Sequence, residues 1–314
     1  MKKLTIALLS GGISSERDVS IASGDQVYEA LDHNKYNVLR YDPKTDLQQL
    51  VTDAPQIDAA LIILHGPFGE DGTIQGLLDL LDIPYQGSGV LGSALGMNKV
   101  ASKHLYEKAG LLVPPYMVLS QNDGFDEDAC TRGLGLPLVV KPVSSGSSVG
   151  ITVVKSKDLL KKAVNEAFTQ DDNVLIEAYI DGIELTGGVI GNDQLEAFPL
   201  IEIVPDKSYA FFDYAAKYTA GATKEICPAR IDDAMAEKAR EIAKTAHQAL
   251  FCKGYSRTDM ILKNQDIFVL ETNTIPGMTA TSLLPQAAGK AGISFSRLLD
   301  RLIELSMEDR KISR

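Results

Sequence analysis

The chain has 314 residues, 45% of them hydrophobic and 23% charged, with a formal net charge of −11 at pH 7. That length exceeds what one core comfortably serves and predicts two or three domains of ordinary globular composition. The acidic balance argues against general binding to nucleic acid or an anionic membrane, so the positive charge for any anionic ligand has to be local.

The opening "MKKLTIALLSGG" has the charged start of a leader, but its apolar run is short, no A-x-A site follows, and "SERD" comes at once. It reads instead as a first strand, 4–10, ending in a Gly-Gly turn. A helix over 20–32, strands over 37–42 and 59–66, and a helix over 73–83 follow. This alternation predicts a parallel, Rossmann-like α/β sheet whose strand ends form the ligand edge. A helix over 98–110 comes next, with Asn98 as N-cap and Gly110 just past its end. "VPP" at 113–115 breaks the pattern, and a domain boundary is expected near it.

The later chain reads as antiparallel α+β. Strands 138–141 and 150–155 flank a Ser/Gly loop as a hairpin. An amphipathic helix spans 156–170 and a strand 174–180. "DG" at 181–182 and "GN" at 191–192 are expected to turn further hairpins. The stretch 206–224 has no clean period and is long and aromatic, which suits a functional loop. A helix over 232–252, strands 255–262 and 267–271, and a helix near 294–307 complete the chain. Cys130, Cys227 and Cys252 are odd in number and form no CxxC pair, so neither a disulfide framework nor a structural zinc site is expected. No apolar run reaches transmembrane length, and a cytoplasmic location is expected.

Four stretches carry chemistry. "VVKPVSSGSSVG" (139–150) leaves a strand through Lys141 into glycines and hydroxyls. Lysine precedes the glycines, so this is not a Walker A loop. Gly146 and Gly150 would let backbone N–H groups approach phosphates, with Lys141 as a point charge. An ordinary hairpin turn is the competing reading. Lys99 falls in the first turn of its helix, where the macrodipole disfavours an exposed cation by roughly 0.3–1 kcal/mol. It has either a role or a solvated surface position.

"YSRTDMILKNQDIFVLETNTIPGMT" (255–279) is the strongest signal. Alternation puts Arg257 and Asp259 on one face of one strand, and Glu271 and Asn273 on one face of the next. A three- or five-residue turn near Asn264–Asp266 would face both pairs the same way. Two carboxylates and an amide oxygen suit magnesium shared with substrate phosphates. The alternative is a salt bridge from Arg257 to Asp259 or Glu271. Gly277, in the turn that follows, could join Arg257 in holding an oxyanion. Near the N-terminus, "GGISSERDVS" offers Glu16 to a substrate ammonium, or merely to the following helix, and "LHGPFGEDGT" exposes His65 at a strand end. Neither stretch contains GxGxxG, so a nicotinamide-dependent dehydrogenase is not supported.

Taken in order, "GGISSERDVS", "LHGPFGEDGTIQG", "MNK", "VVKPVSSGSSVG", "VLIEAYIDGIE", "FFDYAAKY", "SRTDM" and "ETNTIPGMTATSLLPQAA" resemble the D-alanine–D-alanine ligase family of the ATP-grasp superfamily. The resemblance covers nearly the whole chain. It implies a Rossmann-like N-terminal domain (1–96) followed by an ATP-grasp fold of two α+β subdomains (97–184 and 185–314) with antiparallel sheets. It implies ATP as co-substrate, D-alanine as the amino acid substrate, two magnesium or manganese ions, a role in cell-wall peptidoglycan synthesis, and a homodimer.

The same resemblance implies the roles of individual residues. Lys99 and Lys141 meet the ATP phosphates, with Ser147, Ser148 and Lys217 also at the nucleotide. Glu177, Tyr179 and Ile180 meet adenine, and Glu184 meets the ribose. Asp259, Glu271 and Asn273 hold the metals. Glu16 faces the first substrate's ammonium and forms a triad with Ser147 and Tyr218. Arg257 and Gly277 stabilise the oxyanion. His65, Lys217, Ser282 and Leu283 surround the second substrate. A D-alanine–D-lactate ligase is the nearest alternative, and a non-catalytic nucleotide-binding module is a more distant one. Thr272 departs from the family pattern, where alanine is common.

Overall fold

The computed structural model describes residues 2–122, 124–144, 146, 150–205 and 223–312. Three sheets follow one another along the chain. The first is parallel, in the order β2-β1-β3, from β1 (Leu4–Ser10), β2 (Tyr36–Tyr41) and β3 (Ala59–Ile63). "LTIALLS" and "AALII" are near-continuous apolar runs because helices cover both faces of this sheet. Ile6, Leu8, Leu61 and Ile63 share one core with Leu298 and Leu302 of the C-terminal helix, while Ala7, Leu9 and Ile62 share another with Leu50 and Leu78. The surrounding helices are α1 (Arg17–Ala30), α2 (Leu47–Asp53), α3 (Thr73–Leu80) and α4 (Val90–Met97). Helix α1 begins three residues before the expected start, so Glu16 and Arg17 belong to its first turn rather than to a free loop.

The next helix, α5 (Lys99–Lys108), is capped as expected: Asn98 Oδ1 accepts from the N–H groups of Val100 and Ala101 at 3.1 and 3.0 Å. The second sheet is antiparallel and contains four strands in the order β4-β7-β5-β6. These are β4 (Tyr116–Ser120), β5 (Leu138–Pro142), β6 (Thr152–Val154) and β7 (Asn173–Ala178). Its back is filled by α6 (Glu127–Leu134) and α7 (Leu160–Ala167), whose Cys130, Leu160, Val164 and Ala167 pack with Val140, Val154 and Ile176. The hairpin expected around the Ser/Gly loop is present, with Val139 opposite Val153.

The third sheet has six strands: β8 (Ile183–Ile190), β9 (Glu196–Ala197), β10 (Ile201–Pro205), β11 (Thr223–Ile226), β12 (Tyr255–Lys263) and β13 (Asp266–Asn273). Its order is β11-β10-β8-β12-β13, with β9 also beside β8. Helix α8 (Asp233–Ala249) lays Ala239, Ala243 and Ala246 against Leu185, Met260 and Val269, and α9 (Leu283–Lys290) and α10 (Phe295–Ile312) close the chain. The sequence pattern therefore delivered the fold class, a parallel α/β sheet and then two antiparallel α+β sheets. No described helix is long and apolar enough to cross a membrane.

Two turns differ from expectation. The Gly-Asn pair does turn a hairpin, with Gly191 at φ 129° and Ile190 opposite Glu196. Asp181–Gly182 does not. It carries the chain from β7 in the four-stranded sheet to β8 in the six-stranded one, because each strand finds its partners elsewhere. The β12–β13 turn has two residues, not three or five: Lys263 pairs with Asp266, and Asn264 takes φ 58°. An even turn alone would misalign the two polar pairs. A bulge at Leu270 supplies the missing residue, since Met260 pairs with Val269 but Asp259 pairs with Glu271.

Candidate active site

The register beyond that bulge builds the site's floor. Arg257 lies opposite Asn273 on one side and Gly188 on the other, and Asp259 lies between Glu271 and Thr186. Glu184 follows two residues along β8, opposite Ile261. Directly opposed residues share a face. Glu184, Thr186, Arg257, Asp259, Glu271 and Asn273 therefore line one side of the sheet, while Leu185, Met260 and Leu262 fill the core on the other.

A cavity of about 430 Å3 opens over this floor. Its far wall comes from the ends of β1 and β3 and contributes Glu16, His65 and Glu70. Lys99, Arg257, Glu271 and Asn273 line it, as do Gly277, Ser282 and Leu283. Nine of the candidate residues thus meet in one space. Gly146, from the Ser/Gly loop, also reaches it: a β-carbon built there would lie 3.7 Å from Glu16 Oε2 and 3.9 Å from Glu70 Oε2. Gly277 is a site of close approach as well, because a β-carbon on it would stand 3.0 Å from Ser282 Oγ. That hydroxyl accepts from the Thr279 N–H at 3.1 Å. Ser147, Ser148, Lys217 and Tyr218, and with them most of the 206–224 stretch, lie outside the described residues.

Arg257 grips Asp259 with two hydrogen bonds, Nε to Oδ1 at 3.0 Å and Nη2 to Oδ2 at 2.8 Å, and Thr186 Oγ1 donates to Oδ1 at 2.6 Å. The salt bridge from Arg257 to Asp259 is therefore present. Burial opposes the Arg257 charge, but Asp259, Glu271 and Glu70 outweigh it and hold the guanidinium's pKa above its ordinary value. A carboxylate has about four lone-pair positions, and three on Asp259 are taken. One is left to share with a cation beside Glu271. Asn273 Oδ1 already accepts from the Ile275 N–H at 2.9 Å, with a second lone pair open. Among the described residues no group of three or more His, Cys, Asp or Glu is gathered to hold a metal. The two carboxylates and amide oxygen still fit a hard cation that completes its shell with ligand oxygens.

His65 is buried, and burial lowers its pKa, with Arg257 adding to the shift and Glu16 opposing it. Its Nε2 has no hydrogen-bond partner among the described residues. Glu70 is a site residue that the sequence reading missed. It accepts from the Gly66 N–H at 2.6 Å, and burial, with Glu16 and Glu271, pushes its pKa up to about 8. Its place in "GPFGEDGT", five residues past His65 at a ligand-edge strand end, was the available signal.

The nucleotide-side candidates are arranged less openly. Lys99 and Lys141 are each 5% exposed, and the Lys99 N–H donates to Val143 O at 3.1 Å, joining their two elements. Glu177 is buried at 2% exposure, and its carboxylate stands between Lys141 and a second lysine, Lys103. The two lysines hold its pKa down against its burial. Tyr179 and Ile180 are partly exposed in the crossover just past β7.

Comparisons with known proteins agree with the family resemblance and the fold. The family model for the D-ala D-ala ligase N-terminus matches residues 42–88, and that for the D-ala D-ala ligase C-terminus matches residues 105–304. A D-alanine–D-alanine ligase of Syntrophobacter fumaroxidans is 63% identical over 308 residues, covering 98% of this chain and 99% of the relative. One from Desulfotalea psychrophila is 52% identical over 312 residues, covering 99% and 97%. Among solved structures, the Bacillus anthracis D-alanine–D-alanine ligase complexed with ATP superposes with a TM-score of 0.87 at 36% identity, covering 99% of this chain and 100% of that one. The VanG D-Ala:D-Ser ligase of Enterococcus faecalis gives 0.81 at 33% identity, covering 97% and 100%.

Proposed function

Because this chain belongs to the D-alanine–D-alanine ligase family, we propose that its cavity joins two molecules of D-alanine to D-alanyl-D-alanine, converting ATP to ADP and phosphate, for peptidoglycan precursor synthesis. The carboxylate of the first D-alanine attacks the γ-phosphoryl group and becomes an acyl phosphate. The amine of the second attacks that carbonyl, and phosphate leaves the tetrahedral intermediate. The observation that carries the reading is the meeting of Glu16 and His65 with Arg257, Glu271, Asn273 and Gly277 around one cavity.

Glu16 receives the first substrate's ammonium. Lys99 and Lys141 take the phosphates, with Ser147, Ser148 and Lys217 beside them, and Glu177, Tyr179, Ile180 and Glu184 face the nucleoside. Arg257 and the Gly277 N–H meet the developing oxyanion, where preorganised donors are most effective. Ser282, Leu283 and Lys217 hold the second substrate. His65, kept neutral by burial, can accept a proton from its ammonium. Tyr218 and Ser147 tie the loops to Glu16 and exclude water, which would hydrolyse the acyl phosphate. Asp259, Glu271 and Asn273 would hold two magnesium or manganese ions, which when bound disperse phosphate charge. We further propose that the three functional units are 1–96, 97–184 and 185–314, and that the enzyme is a cytoplasmic homodimer.

Phosphate release in the presence of ATP and magnesium tests this. D-alanine alone should support turnover. L-alanine should not, and adding D-lactate or D-serine to D-alanine should not displace the dipeptide as main product. Glu271→Gln should lose at least about 100-fold in kcat. Turnover blind to stereochemistry, or a fully active Glu271→Gln variant, would refute the proposal.

A further inference from the structure

Lys103 has no part in the mechanism above, yet it is placed as a functional group would be. It is 0% exposed, on the face of α5 that also buries Lys99, Ser102 and Tyr106. Its Nζ stands 2.5 Å from Glu177 Oε1, and Lys141 Nζ stands 2.7 Å from Glu177 Oε2. Lys103 Nζ and Glu177 Oε1 stand close enough for a charge-assisted contact, and neither atom has another hydrogen-bond partner among the described residues. The Tyr116 ring lies 5.3 Å from the ammonium. What Lys103 gives Glu177 is therefore charge at short range.

Burying an ammonium is costly, and an apolar side chain of similar length would fill the space more cheaply. The count of charges explains why a lysine is there. With Lys141 alone, Glu177 would form a neutral buried pair, and the Lys141 ammonium would be spent on it. Burial lowers the Lys103 pKa, and Glu177 beside it opposes that shift. With Lys103 protonated the three groups sum to +1, and the surplus lies on the side of Lys141, the less enclosed of the two lysines. We propose that Lys103 is a positioning residue for the nucleotide: by occupying one oxygen of Glu177 it keeps Lys141 available to an incoming phosphate. The inference rests on Lys141 being a phosphate ligand in the ligase reading.

Calorimetric titration of the full chain with ATP and magnesium, in the absence of D-alanine, tests it. Lys103→Met should weaken ATP binding about tenfold or more, the worth of a charge-assisted contact, while the KM for D-alanine stays within about twofold. Lys103→Arg should recover most of the loss. The decisive arm compares ATP with adenosine, which has no phosphate for Lys141 to meet. Lys103→Met should leave adenosine binding within about threefold of the unaltered chain. A lost packing contact or a disturbed adenine seat would weaken both ligands alike. ATP binding unchanged in Lys103→Met, or a loss for adenosine as large as that for ATP, overturns the inference. If Lys103→Met does not fold, Lys103→Gln carries the same comparison with the same outcomes. Failure of the unaltered chain to bind ATP would instead sink the ligase reading.

Discussion

Thr272 sits between Glu271 and Asn273 but points to the opposite face of β13. It is 3% exposed, and its hydroxyl joins a chain: Tyr106 Oη donates to Thr272 Oγ1 at 2.7 Å, and Thr258 Oγ1 lies 3.0 Å from the same atom. Thr272→Val keeps the shape and removes the hydroxyl. The fully buried Tyr106 hydroxyl then loses its acceptor, which costs about 1–3 kcal/mol of stability. Tyr106→Phe should cost about 1 kcal/mol, the net worth of one hydrogen bond. In the double variant the tyrosine hydroxyl is gone and only Thr258 Oγ1 lacks its former neighbour, so the combined loss should fall short of the sum by roughly 1 kcal/mol. Urea unfolding followed by circular dichroism measures all three. Because the side chain faces away from the cavity, kcat should stay within about twofold. Additive losses, or an unchanged midpoint for Thr272→Val, would refute the claim that this hydroxyl chain braces the strand beneath the site.

Two further outcomes follow from the structure. The Glu70 pKa is raised from 4.5 to about 8, so the folded chain binds more protons there than the unfolded chain between those values, and its contribution to stability declines as pH rises through that window. Glu70→Gln should therefore gain stability relative to the unaltered, ligand-free chain from pH 5 to pH 8 in parallel urea titrations, and a difference independent of pH would contradict the assignment. A β-carbon at Gly182 would come 2.4 Å from Leu262 O, so Gly182→Ala should lower the thermal midpoint through a loss of about 1–3 kcal/mol, and an unshifted midpoint would show that the crossover yields.

The local patterns that proved reliable were those whose cause is local. Alternation along 255–273 placed Arg257 with Asp259 and Glu271 with Asn273, because strand geometry fixes side-chain direction residue by residue. Asn98 announced its cap for the same reason. What stayed hidden depended on remote partners. The Leu270 bulge is set by how β13 must pair with β12, and nothing in "FVLETN" marks it. Asp181–Gly182 has the dipeptide of a hairpin, but whether a turn is a hairpin is decided by which strands the flanking segments join. Lys103 was more accessible than it looked. Positions 99, 103 and 106 recur at helical spacing, so two lysines share the face of Tyr106, an arrangement a solvated helix face does not explain.

The four-stranded sheet is built entirely from residues 116–178, and the chain enters and leaves it side by side: Tyr116 pairs with Glu177, and the Ala178 N–H donates to Pro115 O at 2.8 Å. That sheet is fastened to α5 as well, through the Lys99 N–H on Val143 O and the ion pair of Lys103 with Glu177. Lys141 and Glu177 are therefore anchored both at the chain's crossing and at the helix, so a change in the charge partners of Glu177 is felt at a fastening of the sheet and not at a free edge.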